Sequence, residues 1–258
     1  MDPTARFAEC IARDPVPLDR VSLAIAAHAH VELDVDTEIA RFDELATRVE
    51  AGSPAALCRS LFAPTGFTGN ADDYYDPENS FVDSVLDRRV GIPITLSIIA
   101  IEVGRRVGVE MVGVGMPGHF LLRGADDPDL FFDTFDEGRE LRTAEVEALF
   151  RRVHGSTQAF DERLLAVTPT IEIVRRVLAN LMAIYVDNGT LHHLAWVLRL
   201  RTLLGGTDLR EFRQLASVLT RLGRYGEAAA EYDRLALLDP DRSEEHDRAA
   251  LRLRAASN

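Results

Sequence analysis

Apolar residues recur at spacings of three and four through "LDRVSLAIAAHAH" and "DTEIARFDELATRVE". That period predicts two amphipathic helices joined by the acidic turn "VELDVD". A third helix is expected near "PAALCRSLFA", followed by the long loop "PTGFTGNADDYYDPENS", rich in Gly, Asn, Asp and Pro. Asn79 or Ser80 can cap a short helix, "FVDSVLDRR", which Gly91 should end. The next segment is apolar on nearly every face from Pro93 to about Val107, where Arg105 and Arg106 close it. Proline is acceptable in the first turn because its missing N–H is not needed there. The pattern therefore predicts a central buried helix. The period then falls to two: "VEMVGVGM", "HFLLRG" and "LFFDTF" read as short antiparallel strands separated by "PG" and "ADDPD". A helix is expected across "EGRELRTAEVEALFRRVHG". After "VTPT", four further helical stripes form two hairpins.

These runs make an α+β domain over residues 1–167 and an all-α region over 168–258. The alanine-rich "YGEAAAEY" hairpin resembles a tetratricopeptide unit, in which small residues let two helices approach. One and a half units cannot bury their faces as a free array, so the stripe "IVRRVLANLMAIY" is expected to dock on the first domain. A peptide or protein partner on the C-terminal helices is the corresponding functional expectation. His192, His193 and Trp196 share one helix, and packing is the expected use of all three.

Composition narrows the function classes. The 258 residues are 47% hydrophobic and 28% charged, with a formal charge of −13. An acidic surface disfavours nucleic acid, which requires concentrated basic groups. No run is long enough to span a bilayer, and "MDPTARFAEC" lacks the basic-then-apolar pattern of a secretion signal, so a cytoplasmic location is expected. Arg88-Arg89, Arg105-Arg106 and Arg175-Arg176 are spread through helices, where solvated faces or ion pairs are expected. Cys10 and Cys58 form neither a metal spacing nor a disulfide framework, and Cys58 occupies an apolar helical position. His28 and His30 are two apart and cannot share a helix face, which argues against a metal site. No phosphate-binding glycine loop, HExxH or paired CxxC is present. No cofactor and no metal are expected.

The stretches "GFTGNADDYYDPENSFVDSVLDRRVGIPITLS", "GVGMPGHFLL" and "FFDTFDEG" together resemble the SirB-type (synergistic invasion regulator B) transglutaminase-like proteins of bacteria. The resemblance extends from about Val21 to Pro240. It implies a papain-related core with a central helix packed on an antiparallel sheet. Catalytic members of that superfamily carry a cysteine at the start of the central helix, and a histidine and an aspartate on the strands that follow. The helix end and an imidazolium lower the thiol pKa, and the aspartate fixes the imidazole tautomer. His119 and Asp133 match the histidine and the aspartate; the cysteine position falls on Pro93 or beside it. Asp133-Thr134-Phe135 also departs from the Asp-Pro-Phe more usual in the family.

Proline supplies no nucleophile, and neither cysteine lies at this helix start. The leading expectation is a binding or scaffold protein that keeps a cleft lined by Asn79, Arg89, Thr95, Ser97, His119 and Asp133. The alternative is a hydrolase or acyltransferase acting on amide or ester bonds, in which the His–Asp pair activates water, Thr95 or Ser97. A third reading makes the pair structural, a buried imidazole satisfying a buried carboxylate. Thr95 and Ser97 are expected to bond back to helix carbonyls. Asn79 is expected as a cap before a ligand-binding amide, and Gly91 and Gly118 as backbone devices.

Overall fold

A computed structural model describes residues 2–50, 52–62, 66–155, 159–206 and 208–256. A first helix, α1 (Pro3–Ile11), precedes those read from the sequence; Asp2 accepts the Ala5 N–H and Pro3 fills its first turn. The apolar stripes then become α2 (Leu18–Ala26), α3 (Val35–Ala46) and α4 (Pro54–Phe62). The loop after α4 begins with Pro64 and Thr65, which lie outside the described residues. It is pinned by a two-residue strand, β1 (Thr68–Gly69), which runs parallel to β2 (Val90–Gly91). The short helix α5 (Val82–Arg88) lies between them, and the central helix α6 (Pro93–Val107) follows β2.

Two details of this region differ from expectation. Neither Asn79 nor Ser80 caps α5: the N-cap position is Phe81, and no side chain bonds there. The cap in this loop is Asp76, which accepts the Glu78 N–H at the start of a 3-10 turn, Pro77–Ser80. Gly91 also does not end α5. Arg89 does, at φ 56°, in the left-handed region where a residue with a side chain is strained. Gly91 instead serves close approach, since a Cβ there would lie 3.0 Å from Val85 and 3.1 Å from the Thr95 hydroxyl.

Helix α6 is buried along nearly its whole length, as its apolar faces require. Its exit is held by charge. Arg106, from the last turn, reaches Asp19 of α2 at 2.7 Å, Asp43 of α3 at 2.7 Å and Glu102 at 2.8 Å. Burial, reinforced by Asp19, pushes the Glu102 carboxyl above its ordinary range. The guanidinium supplies the countercharge that two buried carboxylates need.

The sheet is a four-stranded antiparallel meander: β3 (Met111–Met116), β4 (His119–Gly124), β5 (Leu130–Asp133) and β6 (Arg139–Arg142). It packs on α6 through β3 and β4. The fourth strand lies in the segment read as wholly helical. Leu141 is buried against Phe131 in register, and Gly138, at φ 71°, turns the chain into the strand. Helix α7 (Thr143–His154) begins only after it. Val114, Met116, Leu121, Phe131 and Leu141 form one cluster with Val146 of α7 and with Leu165.

The chain divides into two compact units, residues 1–177 and 178–258. The division falls inside α8 (Thr170–Asp187), within the helical region that follows Val167. In the first unit the Thr168 N–H donates to Gly113 O at 2.8 Å, and Gly115 N–H donates to the Thr168 hydroxyl at 2.7 Å. Ile173, Val174 and Val177 are buried. The second unit continues through α9 (Leu191–Leu203), α10 (Leu209–Arg221), α11 (Tyr225–Leu238) and a further helix, α12 (Ser243–Ala256). Ala228, Ala229 and Ala250 are fully buried and allow α11 to pack closely. Tyr185 stacks near His193 and lies edge-on to Trp196, which is a packing role for those aromatics.

Candidate functional site

His119 is the first residue of β4, presented by the two-residue turn Pro117-Gly118. Proline fixes the first turn position and Gly118 takes φ 71° at the second, a conformation that a side chain would strain. Extending the β4–β5 register sets Asp133 opposite Leu121, so His119 and Asp133 lie on one face as diagonal neighbours. His119 Nε2 lies 2.9 Å from Asp133 Oδ2. The carboxylate can only accept, so Nε2 donates, and in the neutral tautomer with that bond Nδ1 is the acceptor nitrogen. Among the described residues Nδ1 has no hydrogen-bond partner. The other carboxylate oxygen, Oδ1, accepts the backbone N–H groups of Phe135 and Asp136 at 3.1 and 3.4 Å. Asp133 is 7% exposed, and these bonds offset the cost of burying its charge.

Thr134 ties this pair to α6. Its hydroxyl donates to Pro93 O at 3.0 Å and lies 3.2 Å from the Ser97 hydroxyl. Proline, the more usual residue in the resembled family, could make neither bond. Thr95 is equally committed: it donates to Asn79 O at 2.6 Å and accepts the Ile92 N–H at 3.2 Å. Both Thr95 and Ser97 are fully buried. Asn79 organises the long loop, with Nδ2 donating to Asp73 O at 2.7 Å and Oδ1 accepting from Asn70 and Arg88, each at 3.0 Å.

The residues expected to line one cleft therefore separate by role. His119 and Asp133 are bonded; Pro93, Ser97 and Thr134 form the link to the helix; Asn79 and Thr95 hold the loop. Arg89 stands apart. It is exposed, and it lines a cavity of about 120 Å³ with Arg41, Arg48 and Phe67. Its neighbour Arg88 takes the contact with Asn79 and also pairs with Asp76 at 2.7 Å. Sequence reasoning missed Thr134, Arg88 and Arg176. Arg176 of α8 donates from one nitrogen, Nη2, to Met116 O and His119 O, both at 3.0 Å, and so clamps the turn that presents His119.

Both cysteines are buried. Burial pushes the Cys58 thiol up to about 12, away from thiolate reactivity, and raises Cys10 as well. Among the described residues no cluster of His, Cys, Asp and Glu could hold a metal ion. His28 and His30 serve different neighbours. His28 bonds Ala24 O and Thr4, while His30 meets Asp83 and Glu78.

A central helix tied to a histidine–aspartate pair on the next strands agrees with a match of residues 25–179 to the family model described as transglutaminase-like superfamily. The chain belongs to that superfamily. It is 39% identical over 188 residues to a UPF0162 protein of Xylella fastidiosa, covering 67% of this chain and 66% of the relative. A UPF0162 protein of Pseudomonas aeruginosa is 30% identical over 197 residues, covering 73% of this chain and 72% of that one. Mouse F-box only protein 21 is 33% identical over 133 residues, which is 48% of this chain and 20% of that protein. The chain thus spans about two thirds of the bacterial relatives, and it belongs with the UPF0162 proteins. No solved structure matches it. Among the described residues of this transglutaminase-like chain, no helix is long and apolar enough to cross a membrane.

Proposed function

We infer that this protein is a non-catalytic binding or scaffold member of the superfamily, recognising its ligand around His119 and Asp133. The observation that carries the reading is the state of the side chains at the start of the central helix and of the two thiols. Pro93 occupies the helix start, Thr95 and Ser97 are buried and hydrogen-bonded, and both thiols are buried in protonation states unsuited to attack. The histidine–aspartate pair survives as a fixed polar feature with one open acceptor. The SirB-type resemblance and the tetratricopeptide-like character of the C-terminal helices belong to the same proposal, with those helices taking a peptide or protein partner in the cytoplasm.

One observation favours a second reading. Asp133 orients His119 and Nδ1 stays unbonded, which is the arrangement of a general base awaiting water. Turnover separates the two. Wild-type protein and His119→Ala are assayed with p-nitrophenyl acetate and with a chromogenic peptide anilide, and equal background rates are expected. A wild-type rate above the variant by about 100-fold, the scale of general-base catalysis, supports the hydrolase.

A further inference from the structure

Arg176 has no carboxylate. The chain is strongly acidic and most of its arginines meet Asp or Glu, yet the only acceptors of Arg176 among the described residues are the carbonyls of Met116 and His119, both taken by Nη2. The guanidinium lies 5.5 Å from the Phe120 ring, and it has room because residue 115 is glycine: a Cβ there would come within 3.3 Å of Nη1. Neither Nη1 nor Nε is among the sealed, unpartnered polar atoms. Burial lowers the pKa of Arg176, and the same loss of solvent screening strengthens its attraction for an anion that reaches Nη1 or Nε.

The neighbouring group is also unused. Tyr74 is 40% exposed, makes no hydrogen bond through its hydroxyl among the described residues, and feels the Arg176 charge. Its ring lies edge-on to Phe135 at 5.8 Å and to Tyr75, which is 72% exposed, at 5.4 Å. A guanidinium without a countercharge thus holds the turn that carries His119, while Tyr74 packs on Phe135, whose N–H bonds the Asp133 carboxylate that His119 meets. The open Nδ1 of His119 seeks an N–H donor.

We propose that Arg176 and Tyr74 bind the carboxylate of an acylated amino acid or peptide C-terminus, with its apolar side chain on Tyr74 and Phe135 and its amide N–H directed to His119 Nδ1. The inference rests on the binding reading above and names the ligand class for the same site. Arg176 acts here as a recognition residue, and its hold on the His119 turn is a separate positioning role.

The probes are N-acetyl-leucine and its neutral counterpart N-acetyl-leucinamide, titrated into the full chain while the His119 ring signals are followed by NMR. The acid should shift those signals saturably and the amide should bind at least about tenfold more weakly, the scale of one charge-assisted pair. Arg176→Gln should abolish the preference for the acid. Tyr74→Phe, which removes only a partly exposed hydroxyl, should weaken acid binding several-fold and keeps the test open if the arginine variant fails to fold. Equal binding of acid and amide, or unchanged preference in the folded variants, overturns the carboxylate assignment and leaves the binding reading in place. No saturable shift with either probe overturns both.

Discussion

Thr134 shows how one residue fixes a site. Its hydroxyl joins the strand end that bears Asp133 to the first turn of α6, while Asp133 bonds His119 and two backbone N–H groups. Removing the carboxylate strands three donors in a nearly sealed place. Asp133→Ala should therefore lower unfolding free energy by about 1–3 kcal/mol, read from the denaturant midpoint. Asp133→Asn keeps an acceptor and should lose less, and an unchanged midpoint for the alanine variant would contradict a buried, committed pair. The thiols give a second residue-scale test. Cys58 should react with a thiol reagent at pH 8 only on unfolding, with His119→Ala making no difference. Rapid stoichiometric labelling that depends on His119 would relocate the nucleophile. The folded state holds the Cys58 pKa at about 12 against an ordinary 9.0, so it favours the protonated thiol. That contribution is complete below pH 9 and fades as pH rises towards 12. Cys58→Ala should lose stability less steeply than wild type across that window.

At the scale of elements, legibility followed how completely a local pattern decided the structure. Helix α6 was legible from Pro93 to Val107 because its apolar run, its proline start and its arginine end agree. Three strands and the His119–Asp133 pairing were legible from the change of period and from the family motifs. Strand β6 was not. Its four residues carry one buried apolar side chain, Leu141, too little to establish a period of two before the helical pattern of α7 begins. The end of α5 was misplaced because a left-handed arginine stands where glycine would be read. Arg176 gave no signal at all, because its partners are carbonyls 57 and 60 residues away. The segment after Val167 has a clear consequence: Thr168 bonds β3, and Ile173 and Val177 are buried in the first unit. A chain ending at Val167 should be poorly soluble or molten, binding a hydrophobic dye and unfolding without a sharp transition. A monomeric fragment with a cooperative transition near that of the full chain would contradict this.

For the whole molecule, the distribution of charge and polar bonds supports the proposed binding role. Carboxylates outnumber cations 42 to 29, many of the arginines are absorbed in ion pairs, and the hydroxyls nearest the central helix start are bound internally. What remains open near the superfamily's histidine–aspartate pair is an acceptor nitrogen, a guanidinium without a countercharge and a phenol, which are groups suited to binding. The most direct test is the intact mass of the native protein after prolonged incubation with an acylating ester, followed by peptide mapping. No acyl group is expected on Thr95, Ser97, Cys10 or Cys58. One stoichiometric acyl group at any of those positions, lost in His119→Ala, would show a working nucleophile and contradict a non-catalytic binding role.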